Sequence, residues 1–375
     1  MVDWGNGPNG MQSPAGHRDN IMDADFREIG IALVHENNAA TQVGPEVVTE
    51  DLGVRSHSGA FILGVAYDDT NGDDFYTVGE ARAGLHVSVS GASTDNFSTG
   101  GYSLQTGLTG AQTITFTGAD LSGPITVTTT LVSGENAKFD IVNGTELKSS
   151  VSATVSGAVK ILEAMGATGV ALRAAGAGDH TILGASGADT ISADAGTNYL
   201  RGGSGADSIV GGTGFDDING NQGNDTCVSG GGDDWVVGGK DNDSLMGSDG
   251  QNLVYGNLGA DTCDGGGGND IVRGGQDNDS LTGGAGDDFV SGDKGDDTVM
   301  GGAGADLFHT FGDAGLDRVL DFHLSEGDRV MLDPGTQFTV AQAGADTVIS
   351  MTGGGQMVLV GVQMSTLTGA WIFGA

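Results

Sequence analysis

From Ala175 to His309 the chain repeats every nine residues, fifteen times and without insertion, in the pattern GGxGxDxUx, where U is apolar. Clear copies read GGSGADSIV (Gly202 to Val210), GGAGDDFVS (Gly283 to Ser291) and GDKGDDTVM (Gly292 to Met300). A unit this short cannot bury a core of its own, so it must stack on its neighbours. The eighth position is apolar in every copy, from Ile182 through Cys227, Val254 and Cys263 to Phe308. One apolar residue between polar ones suits a strand of about three residues with a single inward side chain. The six residues GGxGxD then turn the chain, glycine supplying backbone angles that other residues adopt at a cost. Two nonapeptides close one turn. Turns stack at about 4.8 Å, which makes the repeats a rod roughly 36 Å long.

The sixth position carries the chemistry. It is Asp189, Asp207, Asp216, Asp225, Asp234, Asp243, Asp261, Asp270, Asp279, Asp288, Asp297 and Asp306, with His180, Asn198 and Asn252 as the departures. Alternate copies stack into two columns, one on each edge of the rod. Carboxylates about 5 Å apart repel by about 3 kcal/mol per neighbour at an effective dielectric of about 20, so the columns oppose folding unless a cation joins them. The whole chain has 50 acids against 14 bases and a net charge of −36. That balance excludes nucleic acid, whose phosphates need clustered Lys and Arg, and it repels anionic membranes. Ca²⁺ takes carboxylates together with backbone carbonyls, which glycine-rich turns expose.

These residues resemble the RTX, or hemolysin-type, calcium-binding repeats of bacterial toxins and serralysin-like proteases. The resemblance implies a right-handed parallel β-roll in which Asp189 and its successors, with loop carbonyls and with Asn198 and Asn252 as neutral ligands, bind Ca²⁺ between turns. It also implies a roll that is disordered without calcium and folds outside the cell. A site in each gap gives roughly 8 to 13 ions. The three departures share one column, which is expected to bind fewer or weaker ions, with His180 capping the roll. Cys227 and Cys263 lie two turns apart, about 10 Å, too far for a disulfide. They read as buried small apolar residues, with free reactive thiols as the alternative.

The seventh position faces outward and differs between columns. One face is a ladder of hydroxyls (Thr190, Ser208, Thr226, Ser244, Thr262, Ser280, Thr298). The other carries Thr181, Tyr199, Asp217, Trp235, Leu253, Ile271, Phe289 and Leu307. The apolar stripe is expected either to be covered by another segment of this chain or to bind a protein partner on the Tyr199/Trp235/Phe289 face. The hydroxyl ladder also has the regularity of ice-binding surfaces.

After the roll, DAGLDRVLDFHLSEGDRVMLD (Asp313 to Asp333), short β-like runs and an apolar WIFGA ending resemble the C-terminal cap of serralysin-type proteins. There the last stretch is an uncleaved signal read by type I secretion machinery; a plain capping segment is the alternative. The first 30 residues lack an apolar h-region, and no transmembrane segment is expected.

The run SPAGHRDNIMDADFREIGIALV (Ser13 to Val34), with Gly16, His17, Arg18, Asn20 and Ile21, resembles the C-terminal half of CAP-superfamily (SCP-like) domains, and GPEVVTEDLG (Gly44 to Gly53) suits that family's last strand. The other half of that α/β/α sandwich is missing, so His17 reads as a remnant. Alternating runs such as QTITFTG and PITVTTTLV suit a small β-sandwich. Near its start, Asp69, Asn71, Asp73, Phe75 and Glu80 take positions 1, 3, 5, 7 and 12 of an EF-hand-style loop, with Phe75 offering its carbonyl. Asp74 stands where that loop wants glycine. The segment resembles calcium-binding B-type repeats of bacterial adhesins; a solvated acidic hairpin is the alternative.

The expected architecture is therefore all-β. Residues 1–56 form a partial CAP-like α/β segment and 57–145 a small sandwich with a calcium loop. Residues 146–174, rich in Ala and Val, lead in and read as degenerate first turns of the roll, 175–309 form the roll, and 310–375 are cap and secretion signal. The expected function is that of an extracellular, calcium-binding protein, structural, adhesive or secretion-supporting, that folds on binding Ca²⁺. An accessory or remnant of a secreted CAP-type or hydrolase protein is the alternative. No G-x-S-x-G, HExxH or paired catalytic constellation occurs, so no enzyme is expected.

Overall fold

The computed structural model describes residues 28–35, 46–53, 60–77 and 79–374. The described chain is all-β, a parallel solenoid of about ten turns preceded by antiparallel strands. Two sheets face each other across a single file of apolar side chains. One wall contains Asn198–Ser204, Asp216–Gln222, Trp235–Lys240 and Leu253–Leu258, each parallel to the next. The other contains Ser208–Thr213, Thr226–Gly231 and Ser244–Met246. Ile209 lies opposite Cys227 and Ile218 opposite Val236, so the register between turns is two nonapeptides throughout the regular part.

The apolar eighth residues fill the space between the walls. Ile182, Leu200, Ile218, Val254 and Phe308 are fully buried, as is Cys227, and Cys263 is 1% exposed. Both cysteines are free thiols. Burial pushes each thiol well above its ordinary value, which keeps it un-ionised and unreactive.

The strands are longer than the three residues expected. After the kink at the first glycine the chain re-enters the ladder, so Gly203 pairs with Asn221 and Ser204 with Gln222. Gly203 reaches φ +107° there, a left-handed angle that lets the backbone rejoin its neighbour.

Parallel pairing also extends beyond the nonapeptides. Glu146–Ser149 pairs with Ile161–Ala164, and that strand with Thr181–Leu183. Turns therefore precede His180, which does not cap the roll as expected. At the other end Leu316–Val319 and Arg329–Leu332 add rungs after the repeats stop, followed by Gln356–Leu359 and Ile372–Gly374. The hairpin of Phe338–Ala343 and Asp346–Met351 leads into Gln356–Leu359.

The sandwich is continuous with the roll. Asn136–Val142 pairs antiparallel with Glu146–Ser149 on one wall, and Ile125–Leu131 pairs antiparallel with Ala153–Gly157 on the other. Antiparallel strands thus occupy the edge that the first turn would leave open. Phe116 packs edge-on against Tyr102 and Phe139 in the core of the sandwich. Glu28–His35 and Glu46–Gly53 form a separate antiparallel hairpin.

Candidate metal columns

The register sets Asp189, Asp207, Asp225, Asp243, Asp261, Asp279 and Asp297 along one edge of the roll. His180, Asn198, Asp216, Asp234, Asn252, Asp270, Asp288 and Asp306 run along the other. Every one of these Asp side chains is buried, at most 3% exposed. Each carboxylate but that of Asp216, which takes the Asn198 side-chain amide instead, spends one oxygen on the backbone of the turn before it. The Asp189 N–H donates to Asp207 Oδ1 at 2.7 Å, Asp207 N–H to Asp225 Oδ1 at 2.8 Å, and Asp261 N–H to Asp279 Oδ1 at 2.8 Å. The second column does the same, as in Asp270 N–H to Asp288 Oδ1 at 2.8 Å.

The second oxygen has no such partner. Oδ2 is buried and without a hydrogen bond in Asp207, Asp216, Asp225, Asp234, Asp243, Asp261, Asp270, Asp279, Asp288, Asp297 and Asp306. A buried, unsatisfied carboxylate oxygen is costly. Burial pushes the carboxyls up, to about 6 at Asp216, Asp225, Asp261 and Asp306, about 7 at Asp243 and Asp288, and about 8 at Asp279.

These oxygens converge with carbonyls on the first glycine of their own repeat. A Cβ at Gly202 would stand 2.3 Å from Asp207 Oδ2 and 2.7 Å from the Gly220 carbonyl of the next turn. The glycine keeps that cradle clear. Hard oxygen donors from carboxylates and carbonyls, with negative charge left uncompensated, fit Ca²⁺.

The departures alter this locally. Asn252 turns its amide nitrogen into the cradle of Gly247, 2.8 Å from where a Cβ would stand. Asn198 donates from Nδ2 to Asp216 Oδ1 at 2.7 Å and accepts the His180 N–H on Oδ1 at 3.1 Å. His180 has a buried Nδ1 without a partner, and burial holds its ring below the ordinary value, hence neutral. Asp189 differs from its successors, since Ala185 N–H reaches its Oδ2 at 2.9 Å.

Two acids escape a search by nonapeptide. Asp317 and Asp328 fall outside the repeats, yet the register places Arg318 opposite Thr298 and Arg329 opposite Leu307, so the acids before them extend the columns. A second ladder was also missed. At the fifth position Asn and Asp side chains accept the N–H of the fifth residue one turn later. Asn224 Oδ1 accepts from Asn242 at 3.1 Å, Asn242 Oδ1 from Ala260 at 2.9 Å, and Asn278 Oδ1 from Asp296 at 2.8 Å. It runs opposite in sense to the sixth-position ladder, and the frequent Asn at that position was its only signal.

The loop at residues 69–80 takes the EF-hand-like turn without the glycine, since Asp74 itself adopts φ +65°. Its donors are engaged within the loop. Asp69 Oδ1 accepts from Gly72 at 2.8 Å, Asn71 Oδ1 from Asp73 at 2.8 Å, and Asp73 Oδ1 from Phe75 at 3.0 Å. Glu80 accepts the Thr70 and Thr77 hydroxyls at 2.9 and 2.5 Å, and the Thr77 bonds chiefly hold its carboxyl down to about 2. Among the described residues, the acids that converge most closely in threes are instead Asp74, Glu146 and Glu163. The Lys148 ammonium lies among them, 2.5 Å from Asp74, 3.5 Å from Glu146 and 3.1 Å from Glu163, so a cation is already in place.

On the outer face Tyr199, Trp235 and Ile271 are 44%, 54% and 46% exposed. Among the described residues, side chains of the roll itself lie against this face, Arg201 over the Tyr199 ring at 3.4 Å and Phe215 edge-on to Trp235 at 5.6 Å. The hydroxyls of Ser208, Thr226 and Thr262 are exposed on the opposite face.

Residues 174–209, 201–236, 237–272 and 273–308 match the RTX calcium-binding nonapeptide repeat, in four copies. Repeats of this kind bind Ca²⁺ at multiple sites and typically belong to secreted proteins. A search of curated proteins finds no match. Similar solved structures include the extracellular lipase LipA from Serratia marcescens, 16% identical, with a TM-score of 0.27. The alignment covers 59% of this chain and 41% of that one, so the chain spans less than half of the lipase's length. The CAP-like motif residues Gly16 to Ile21 lie outside the described residues, and no helix among those described is long and apolar enough to cross a membrane.

Proposed function

We propose that this chain is an extracellular calcium-loaded scaffold, structural or adhesive rather than catalytic, whose folding is driven by Ca²⁺ after export. The reading rests on one observation: eleven buried Asp oxygens, in register along two edges, have no hydrogen-bond donor. Ca²⁺ bound at these edges supplies the positive charge that the stacked carboxylates need. Without it, mutual repulsion and unsatisfied oxygens oppose closure of each turn. Low cytoplasmic calcium then leaves the acidic chain extended for passage through a type I exporter, and higher calcium outside adds binding free energy to folding. The Tyr199/Trp235/Phe289 face is the surface this reading offers to a protein partner.

Calcium titration followed by circular dichroism and calorimetry tests the proposal. The β signal should rise with calcium and saturate as roughly 8 to 13 ions are taken up. Full β signal in excess chelator at neutral pH would refute coupled folding.

A further inference from the structure

The two columns of acids run one step past the last nonapeptide, and they end differently. On one edge Asp328 accepts the Asp306 N–H on Oδ1 at 3.0 Å and the His323 N–H on Oδ2 at 2.6 Å. Backbone donors occupy both oxygens, so that column closes with protein alone.

On the other edge Asp317 is 1% exposed. Its Oδ2 receives the Thr310 hydroxyl at 2.9 Å, while its Oδ1 is buried with no donor. Oδ2 of Asp297, one turn before, is likewise buried with no donor. The register of Thr298 with Arg318 sets Asp297 and Asp317 on adjacent rungs of the same column, about 5 Å apart. Among the described residues no Lys or Arg forms an ion pair with either. Two carboxylates this close in a dry site cannot both stay ionised unless a positive charge joins them.

We propose that Asp317 completes, with Asp297, a further Ca²⁺ site outside the repeats, and that this ion fastens the C-terminal segment to the roll. The inference rests on the reading of the repeat columns as calcium sites. The location explains the role. Asp317 lies in Leu316–Val319, the strand that joins the last repeat strand of its wall, Thr298–Ala303, to Gln356–Leu359 and hence to the terminal hairpin. An ion at this joint holds the cap at the point where the nonapeptide spacing is lost.

The test is calorimetric titration of the full chain with CaCl₂, alongside D317N and D328N. D317N should take up one ion fewer than the parent and D328N the same number. In saturating calcium, amide exchange in Gln356–Leu359 should speed about tenfold in D317N, with Ser208–Thr213 unchanged. Parent stoichiometry in D317N overturns the proposal. So does a crystal of the parent grown in calcium that shows the two carboxyls sharing a proton with no ion between them, and this decides the matter even if D317N fails to fold. No calcium uptake by the parent would remove the reading of the repeats instead.

Discussion

Ser229 stands where twelve of the fifteen nonapeptides have glycine, and its hydroxyl donates to the Gly247 carbonyl at 2.5 Å. In the open cradles that next-turn carbonyl faces the free Asp oxygen; here it already has a donor, and a Cβ occupies the space beside Asp234. Ala193 fills the corresponding space beside Asn198. The residue at position one therefore decides, gap by gap, whether an ion has room. Two substitutions read this directly by calorimetry. Ser229→Gly should add one ion to the parent count. Gly202→Ala should remove one and cost about 1–3 kcal/mol in calcium, since its Cβ would meet Asp207 Oδ2 at 2.3 Å. Unchanged counts in both would show that the cradle is not where the ion sits.

At the scale of the rung and column, the raised carboxyls predict how the metal-free roll responds to acid. Asp243 and Asp279 have folded values of about 7 and about 8, against about 3.9 in an unfolded chain. Between these limits the folded state holds more protons than the unfolded one, so stability falls as pH rises. In chelator the chain should show more β signal at pH 5 than at pH 8. Calcium binding at pH 7 should release protons, seen as heats that depend on the buffer. Equal β signal at both values would contradict the burial of the columns.

The same elements show what could be read from sequence. Asp189 to Asp297 were legible because side-chain identity and a strict nine-residue spacing report the same geometry. Asp317 and Asp328 were not, because two short insertions shift them out of phase while the ladder hydrogen bonds restore the register. The turns at Glu146–Ala174 lack the glycine signature for a related reason. Their loops differ in length, and the ladder supplies the alignment. Asp74 shows the converse, a left-handed angle taken without glycine where local Asx hydrogen bonds support it.

For the whole molecule, the charge of −36 and the proposed coupling of ions to turns predict a large change in size. In chelator the radius of gyration should approach the roughly 70 Å of an unfolded chain of this length. In calcium it should fall to about half that or less, as scattering would show. A chain that stays compact in both would mean that the walls hold without ions. The continuity of those walls, from the sandwich strands to Ile372–Gly374, has a mechanical side as well. Backbone hydrogen bonds between turns lie along the length of the rod, so a pull on its two ends loads them one rung at a time. Ions set between successive turns then act as rivets across each seam. A tether built this way would stretch out turn by turn when calcium is withdrawn and stiffen when it returns.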